Sequence, residues 1–303
     1  FKAAFPDLNL ATLKKDGIVI KTSGDDLFLA GGRPRGSLYA VYTFLEEVVG
    51  VRWWTSSETY VPTKSNLQIP SLDKVYVPQL EYREVHFYDP CSSGVFSARS
   101  KMNGHFLPIP ENYGGHYKIL GWCHTFNEIL PPVEYFDSHP EWYSLVGGTR
   151  TTDQLCLSNP EMKAEFIQRA LEWIERDPTA GIISISQNDN KKPCQCSQCH
   201  AIEREEGSPA GPLIRFVNDV AVEIEKQYPD FWVETLAYNH TRKPPEKVKP
   251  RDNVIVRLCD IECSFAKHYP MKETQLFVEI SRVGVKFPSS FISGIILQTS
   301  PTI

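Results

Sequence analysis

The chain has no apolar stretch approaching the ~20 consecutive residues that a membrane-spanning helix needs. It also lacks a positive excess. A formal charge of −5 leaves no electrostatic case for a nucleic-acid partner. The densest basic run, Arg242 to Arg251, is broken by prolines and a glutamate and reads as a solvated loop. Internal repeats, low-complexity tracts and long polar segments are absent, which excludes solenoid and disordered classes. The eight cysteines are too sparse in 303 residues for a small disulfide scaffold, so they are compatible with either redox compartment. Gly31-Gly-Arg-Pro-Arg-Gly36 has no Gly-Lys-Ser/Thr ending, so it is not a phosphate-binding loop. There is no initiating methionine: Phe1 is what a removed or omitted leader would leave.

What is present is enough for a substantial core, with 41% hydrophobic and 12% aromatic residues. The length suits one large domain or a small one followed by a larger one. Residues 1–77 read as a small α+β domain. Gly17–Lys21 and Asp26–Ala30 alternate as antiparallel strands around a Ser-Gly-Asp turn. Ser37–Val49 follows as a helix, with Leu38, Val41, Tyr42, Leu45, Val48 and Val49 on one face. Ser37 is its expected N-cap and Gly50 its stop. Val51–Trp54 returns as a strand, and the proline-bounded stretch Pro62–Pro78 reads as a linker.

From Glu81 onward, strand and helix patterns alternate. Strands are expected at Arg83–Asp89, Gln154–Leu157, Ile182–Ser186, Trp232–Tyr238 and Asn253–Cys259. Asn159-Pro160 opens an amphipathic helix to about Arg176, and a second helix runs from Ala210 to Tyr228. Repeated βα units of this length predict a parallel α/β architecture, a (β/α)8-type barrel over 78–268.

Three blocks carry a family resemblance: Gly32–Glu47, His139-Pro-Glu-Trp-Tyr-Ser-Leu-Val146, and Ser186-Gln-Asn-Asp-Asn190 with the cysteines after it. Together, over about residue 17 to Cys263, they resemble the bacterial proteins grouped as domain of unknown function 4838. That group is similar, distantly, to the family 67 α-glucuronidases and family 20 β-hexosaminidases. The resemblance implies a small α+β domain on a (β/α)8 catalytic barrel, glycoside hydrolysis, a carbohydrate partner and a secreted or periplasmic location.

Glycoside hydrolysis needs two carboxyl groups flanking the bond. Asp189 ends the strand counted fourth in the barrel, at the end where barrels place their chemistry, and by the resemblance it is the acid. The alternative is a loop-capping carboxylate. Asp260 and Glu262 follow the strand Val254–Cys259 at i, i+2 and are the candidate partners; a salt-bridged loop pair, to Arg257 or Lys267, explains them equally. Glu234 lies early in its strand, where packing is expected. Asn188, Tyr238 and Asn239 sit at strand ends as candidate binders of sugar hydroxyls. His124 and Trp122, in Gly121-Trp-Cys-His-Thr-Phe126, are candidates for substrate contact and ring stacking.

Cys194-x-Cys196-x-x-Cys199 has metal-ligand spacing, with His200 adjacent. A tetrahedral zinc site needs a fourth ligand, and no second Cys-x-x-Cys supplies one, so a structural zinc, a disulfide and free thiols all fit. No other cofactor is expected. Rival readings are a non-catalytic glycan-binding barrel and a metal-dependent hydrolase built on the cysteines.

The tail 269–303 breaks the βα rhythm. Codons shifted by one base across Gly294–Ile303 can encode Trp-Asp-Tyr-Thr-Thr-Asn-Phe-Thr-His-Tyr. A shift over Leu276–Pro288 can encode an amphipathic helix. The expectation is a frameshifted tail and a barrel with roughly six of eight units, lacking any catalytic group of the seventh strand and so inactive. Resequencing the gene tests this.

Overall fold

The computed structural model describes residues 3–259. Asp260, Glu262 and the tail 269–303 lie outside the described residues. Packing divides the chain between Tyr117 and Lys118.

In the first unit, β1 (Ile18–Ser23) and β2 (Asp26–Gly31) form an antiparallel hairpin in register from Ile18↔Gly31 to Ser23↔Asp26. Gly24, at φ +58°, begins its two-residue turn, in the left-handed conformation that tight hairpins require. Helix α1 (Gly36–Phe44) runs on through a π turn, Leu45–Val49, and stops at Gly50 (φ +94°). Its N-cap is Arg35, one residue before the helix starts at Gly36, and no side chain caps it. Strands β3 (Arg52–Trp53) and β4 (Thr59–Tyr60) pair with each other. The expected linker contains β5 (Asp73–Tyr76), which adds to the free edge of β1 and gives the order β2-β1-β5.

The expected strand Arg83–Asp89 does not form. Arg83 spends its backbone on one asparagine: its N–H donates to Asn103 Oδ1 (2.8 Å), and Asn103 N–H donates to its carbonyl (3.0 Å). The segment instead leads into α2 (Tyr88–Ser92) and α3 (Gly94–Arg99). Arg83 Nη2 and Arg35 Nε each reach the buried Asp16 at 2.6 Å, and Asn103 Nδ2 reaches it at 2.8 Å. Residues after 77 therefore belong with the first unit. Ala98, Leu107 and Ile109 share one core with Ile18, Ile20, Tyr39 and Phe44.

The second unit is α/β. Strand β6 (Lys118–Leu120) is followed by the short helices α4 (Phe126–Ile129) and α5 (Pro132–Tyr135). An antiparallel hairpin of β7 (Tyr143–Val146) and β8 (Thr149–Leu155) comes next. The expected strand Gln154–Leu157 is thus the end of a hairpin arm, not a rung of the parallel sheet. Helix α6 (Pro160–Arg176) starts as read, with Asn159 Oδ1 accepting from Met162 N–H. Then come β9 (Gly181–Ser184), α7 (Ser197–Glu206), α8 (Ala210–Gln227), β10 (Trp232–Ala237) and β11 (Val254–Leu258).

Strands β6, β9, β10 and β11 pair in parallel, in the order β11-β10-β9-β6. Ile183, Val233 and Val254 are buried, as strands covered by helices must be. Helix α6 buries Met162, Phe166, Ala170 and Ile174 at a strict i, i+4 spacing. Phe126, Phe166 and Phe216 pack edge to face, with centroids 5.1–6.0 Å apart. The described residues thus form a four-stranded parallel α/β sheet; eight-stranded closure is not among them. Asp189 follows the second strand of this sheet in chain order, not the fourth. None of the described helices is long and apolar enough to cross a membrane.

Candidate functional site

Parallel strands release their next residues at the same end, so the segments after β6, β9 and β10 converge. Trp122 to Thr125 follow β6, Ser186 to Asn190 follow β9, and Tyr238 to Thr241 follow β10. The Tyr238 hydroxyl donates to Asp189 Oδ1 at 2.9 Å, which fixes the orientation of an otherwise exposed carboxylate. His124 Nδ1 lies 2.7 Å from the Gln187 carbonyl, so this nitrogen carries the proton and Nε2 is the acceptor in the neutral ring. Its ring is 5.8 Å from that of Tyr238.

The backbone is strained here. Trp122 (φ +50°), His124 (φ +58°) and Asn239 (φ +58°) all adopt left-handed conformations without being glycine. Such residues cost of order 1–3 kcal/mol each and cluster where function demands a set geometry. Gly121 (φ +76°) opens the first segment, and a Cβ there would meet Thr125 Cγ2 at 2.6 Å.

Beneath this rim, Arg257 Nε lies 2.8 Å from Glu234 Oε1, and its guanidinium stacks 3.8 Å above the Trp122 ring. Glu234 is only 2% exposed. The pair is ionic by distance, and its carboxylate is sealed from solvent. Burial therefore dominates and raises the Glu234 carboxyl above its ordinary value, against the pull of Arg257, Ser184 and His124. The Cys123 thiol is raised by burial, pulled down by Arg257 and pushed up by Glu234, Glu128 and Asp189. Glu234 and Asp189 are thus within electrostatic reach of one side chain. Burial also lowers His240, whose Nδ1 is buried without a partner.

Of the sequence candidates, Asp189, His124 and Tyr238 come together directly, and Trp122 joins through Arg257. Asn239 turns the chain after Tyr238. Asn188 has a different job from the expected one. Its Nδ2 donates to the Asp153 carbonyl (2.8 Å) and its Oδ1 accepts from Asn127 N–H (3.3 Å), so its amide braces the loop. Gln187, not singled out by sequence, is buried and ties β9 to β10 by donating to Thr241 Oγ1 (2.6 Å) and the Tyr238 carbonyl (3.2 Å). Glu234 and Arg257 were legible as opposite charges inside two apolar strands, and only their adjacency was hidden. Asp260 and Glu262, the expected carboxylate partners, lie outside the described residues.

The cysteines gather more completely than their spacing foretold. Cys156, just past β8, joins Cys194, Cys196 and Cys199, and all four Sγ atoms lie within 4.8 Å of one another. His200, the neighbour in sequence, instead faces Glu203 at 3.4 Å. The Cys156 thiol is driven far down by hydrogen bonds from Cys194 and Cys199, and Ser158 and Arg150 add to the effect. A cavity lined by Gln154, Gln187, Cys194, Cys199, His240 and Thr241 joins the cluster to the back of the strand-end site.

Residues 53–282 match a family model described as a domain of unknown function, DUF4838. The match begins after the Gly32–Glu47 block and runs on past Cys263, to residue 282 within the expected frameshifted tail. No curated protein matches the chain.

Proposed function

The chain belongs to the domain of unknown function 4838 family, and on that premise we propose that it is a glycoside hydrolase-like protein that acts on a polysaccharide or oligosaccharide by carboxylate acid/base catalysis. The reading rests on one observation: an oriented carboxylate, Asp189, at the C-terminal edge of a parallel sheet, held by Tyr238, whose ring lies against His124. Aromatic faces and hydroxyl-directed donors suit a sugar ring, and a carboxyl at the strand end suits proton transfer to a glycosidic oxygen. In this reading Asp189 is one catalytic carboxyl. Asp260 and Glu262 remain the candidates for the other. Tyr238 aims Asp189, His124 offers Nε2 to a hydroxyl, and Arg257 stiffens the Trp122 platform. A secreted or periplasmic location accords with such a substrate.

The metal-dependent hydrolase finds less support. A catalytic zinc keeps an open coordination position, whereas four cysteine ligands would close one. The glycan-binding alternative keeps the same aromatic platform and is separated by experiment. Because this chain is expected to be inactive, release of reducing ends from a panel of polysaccharides is measured for an intact homologue and for its counterpart of Asp189→Asn, with glycan binding followed in parallel. Hydrolysis by the parent that falls at least a hundredfold in the variant, with the fold retained, supports the proposal. Unchanged turnover removes Asp189 from the mechanism. Binding by both forms with hydrolysis by neither establishes the lectin-like reading instead.

A further inference from the structure

We propose that Cys156, Cys194, Cys196 and Cys199 bind one structural Zn2+ ion, which clamps the β7–β8 hairpin to the start of α7 and so holds the far end of the Asp189 loop. The inference is independent of the glycan reading.

The four sulfurs come from two segments that the fold brings together. A tetrahedral ion with Zn–S bonds of about 2.3 Å requires sulfurs about 3.8 Å apart. Cys156 Sγ and Cys196 Sγ are 3.7 Å apart, and all four fall within 4.8 Å. A disulfide needs about 2.0 Å and would pair the sulfurs in twos, whereas these four converge on one point.

The surroundings are those of thiolates. Leu145 N–H donates to Cys194 Sγ and Cys199 N–H to Cys196 Sγ, each at 3.4 Å. Cys196 is the N-cap of the ten-residue helix α7, so the positive end of that helix faces its sulfur. Arg150 Nη1 lies 4.0 Å from Cys194 Sγ, and Ser158 Oγ lies 3.2 Å from Cys199 Sγ. Backbone amides, a helix terminus, a hydroxyl and a guanidinium all favour negative charge on sulfur. Such second partners orient the ligands of a metal and tune them.

Cys156, Cys194 and Cys199 are buried. Four thiolates complete a tetrahedral shell, so the ion offers no position to substrate, and its role is structural. Binding converts thiols to thiolates and releases their protons, so affinity falls with acidity. The segment from Ile185 to Pro193 is then held at both ends, by β9 on one side and by the metal-bound Cys194 on the other.

The test begins with the unmodified chain, purified without chelators, whose metal content is measured by plasma mass spectrometry. About one zinc per chain, released when the thiols are titrated with a mercurial, supports the site. Less than a tenth of an equivalent, iron in place of zinc, or a disulfide between any two of these cysteines on non-reducing peptide mapping overturns it. Cobalt substitution of the same chain reads the ligand set without a variant. Intense thiolate charge-transfer bands with tetrahedral d–d bands support four sulfur ligands, and a weak octahedral spectrum overturns them. Cys156→Ser tests the ligand that sequence spacing did not predict: metal affinity should fall at least tenfold, while His200→Ala leaves it unchanged. Should Cys156→Ser fail to fold, the cobalt spectrum of the unmodified chain decides alone.

Discussion

Asp189 and Glu234 show how two carboxylates in one region come to differ. Asp189 sits on an exposed loop, held by one phenol; Glu234 is sealed in mid-strand against Arg257. Removing one member of a buried pair strands the other charge, which typically costs 3–5 kcal/mol. Glu234→Ala should therefore destabilise the protein by about that much in urea unfolding, and Glu234→Gln by less. A loss under about 1 kcal/mol for the alanine variant would mean that Arg257 finds other partners or water. The raised carboxyl also has a pH signature of definite sign. The native state holds the Glu234 proton more tightly than the unfolded chain does, so above the ordinary glutamate value the folded form binds more protons. This contribution to stability is complete below that value and is lost as pH rises through the folded one. Urea melts between about pH 4 and pH 8 should show Glu234→Gln lacking that decline. Parallel curves for parent and variant would contradict it.

Among the elements, α6 displays the closest agreement between pattern and structure, because each of its determinants is local. Asn159 caps it, Pro160 occupies the first turn, and Met162, Phe166, Ala170 and Ile174 recur at helical spacing. Asn159→Ala should cost about 1 kcal/mol by loss of the bond to Met162 N–H, with the sheet unchanged, as read by chemical denaturation and circular dichroism. No change would show that water replaces the cap. Helix α7 escaped notice for the opposite reason. Its sequence, rich in charge and cysteine, has only a weak apolar stripe, and Cys196 is an unusual cap. The segment Arg83–Asp89 has the composition of a strand, but both backbone groups of Arg83 are taken by Asn103, one by its side chain and one by its main chain.

At the scale of the molecule, each unit closes its own core, and the boundary follows packing, not composition. Pro62–Pro78 looks like a linker in one dimension, yet β5 within it is a sheet edge, and the chain stays with the first core until Tyr117. In the second unit, the cysteine cluster ties the β7–β8 hairpin to α7 as a cluster of its own beside the hydrophobic core that includes α6 and α8. Cys196→Ser should therefore lower the melting temperature by several degrees, a loss of a few kcal/mol, while leaving any glycan preference as it was. A normal melting temperature with altered preference would place the cluster in recognition instead.

The sequence by itself determined the features that depend on near neighbours. The first hairpin, α1, α6, α8 and the strands β9, β10 and β11 all follow from periodicity and turn residues. The strand-end position of Asp189, Tyr238 and Asn239 follows too, because a polar run after a buried strand has nowhere else to go. Only the tertiary structure decided what depends on distant partners. Strand β6 has just three residues, too few for a period to register, and the sheet alone identifies it. The register Glu234↔Ile255 sets Arg257 beside a carboxylate it could not be assigned to from spacing. Cys156 stands 38 residues before Cys194 in the chain, and only the fold of the hairpin onto α7 brings it in as the fourth sulfur. Periodicity reports on which face is buried, whereas pair identity depends on three-dimensional register, and a linear pattern does not carry that information.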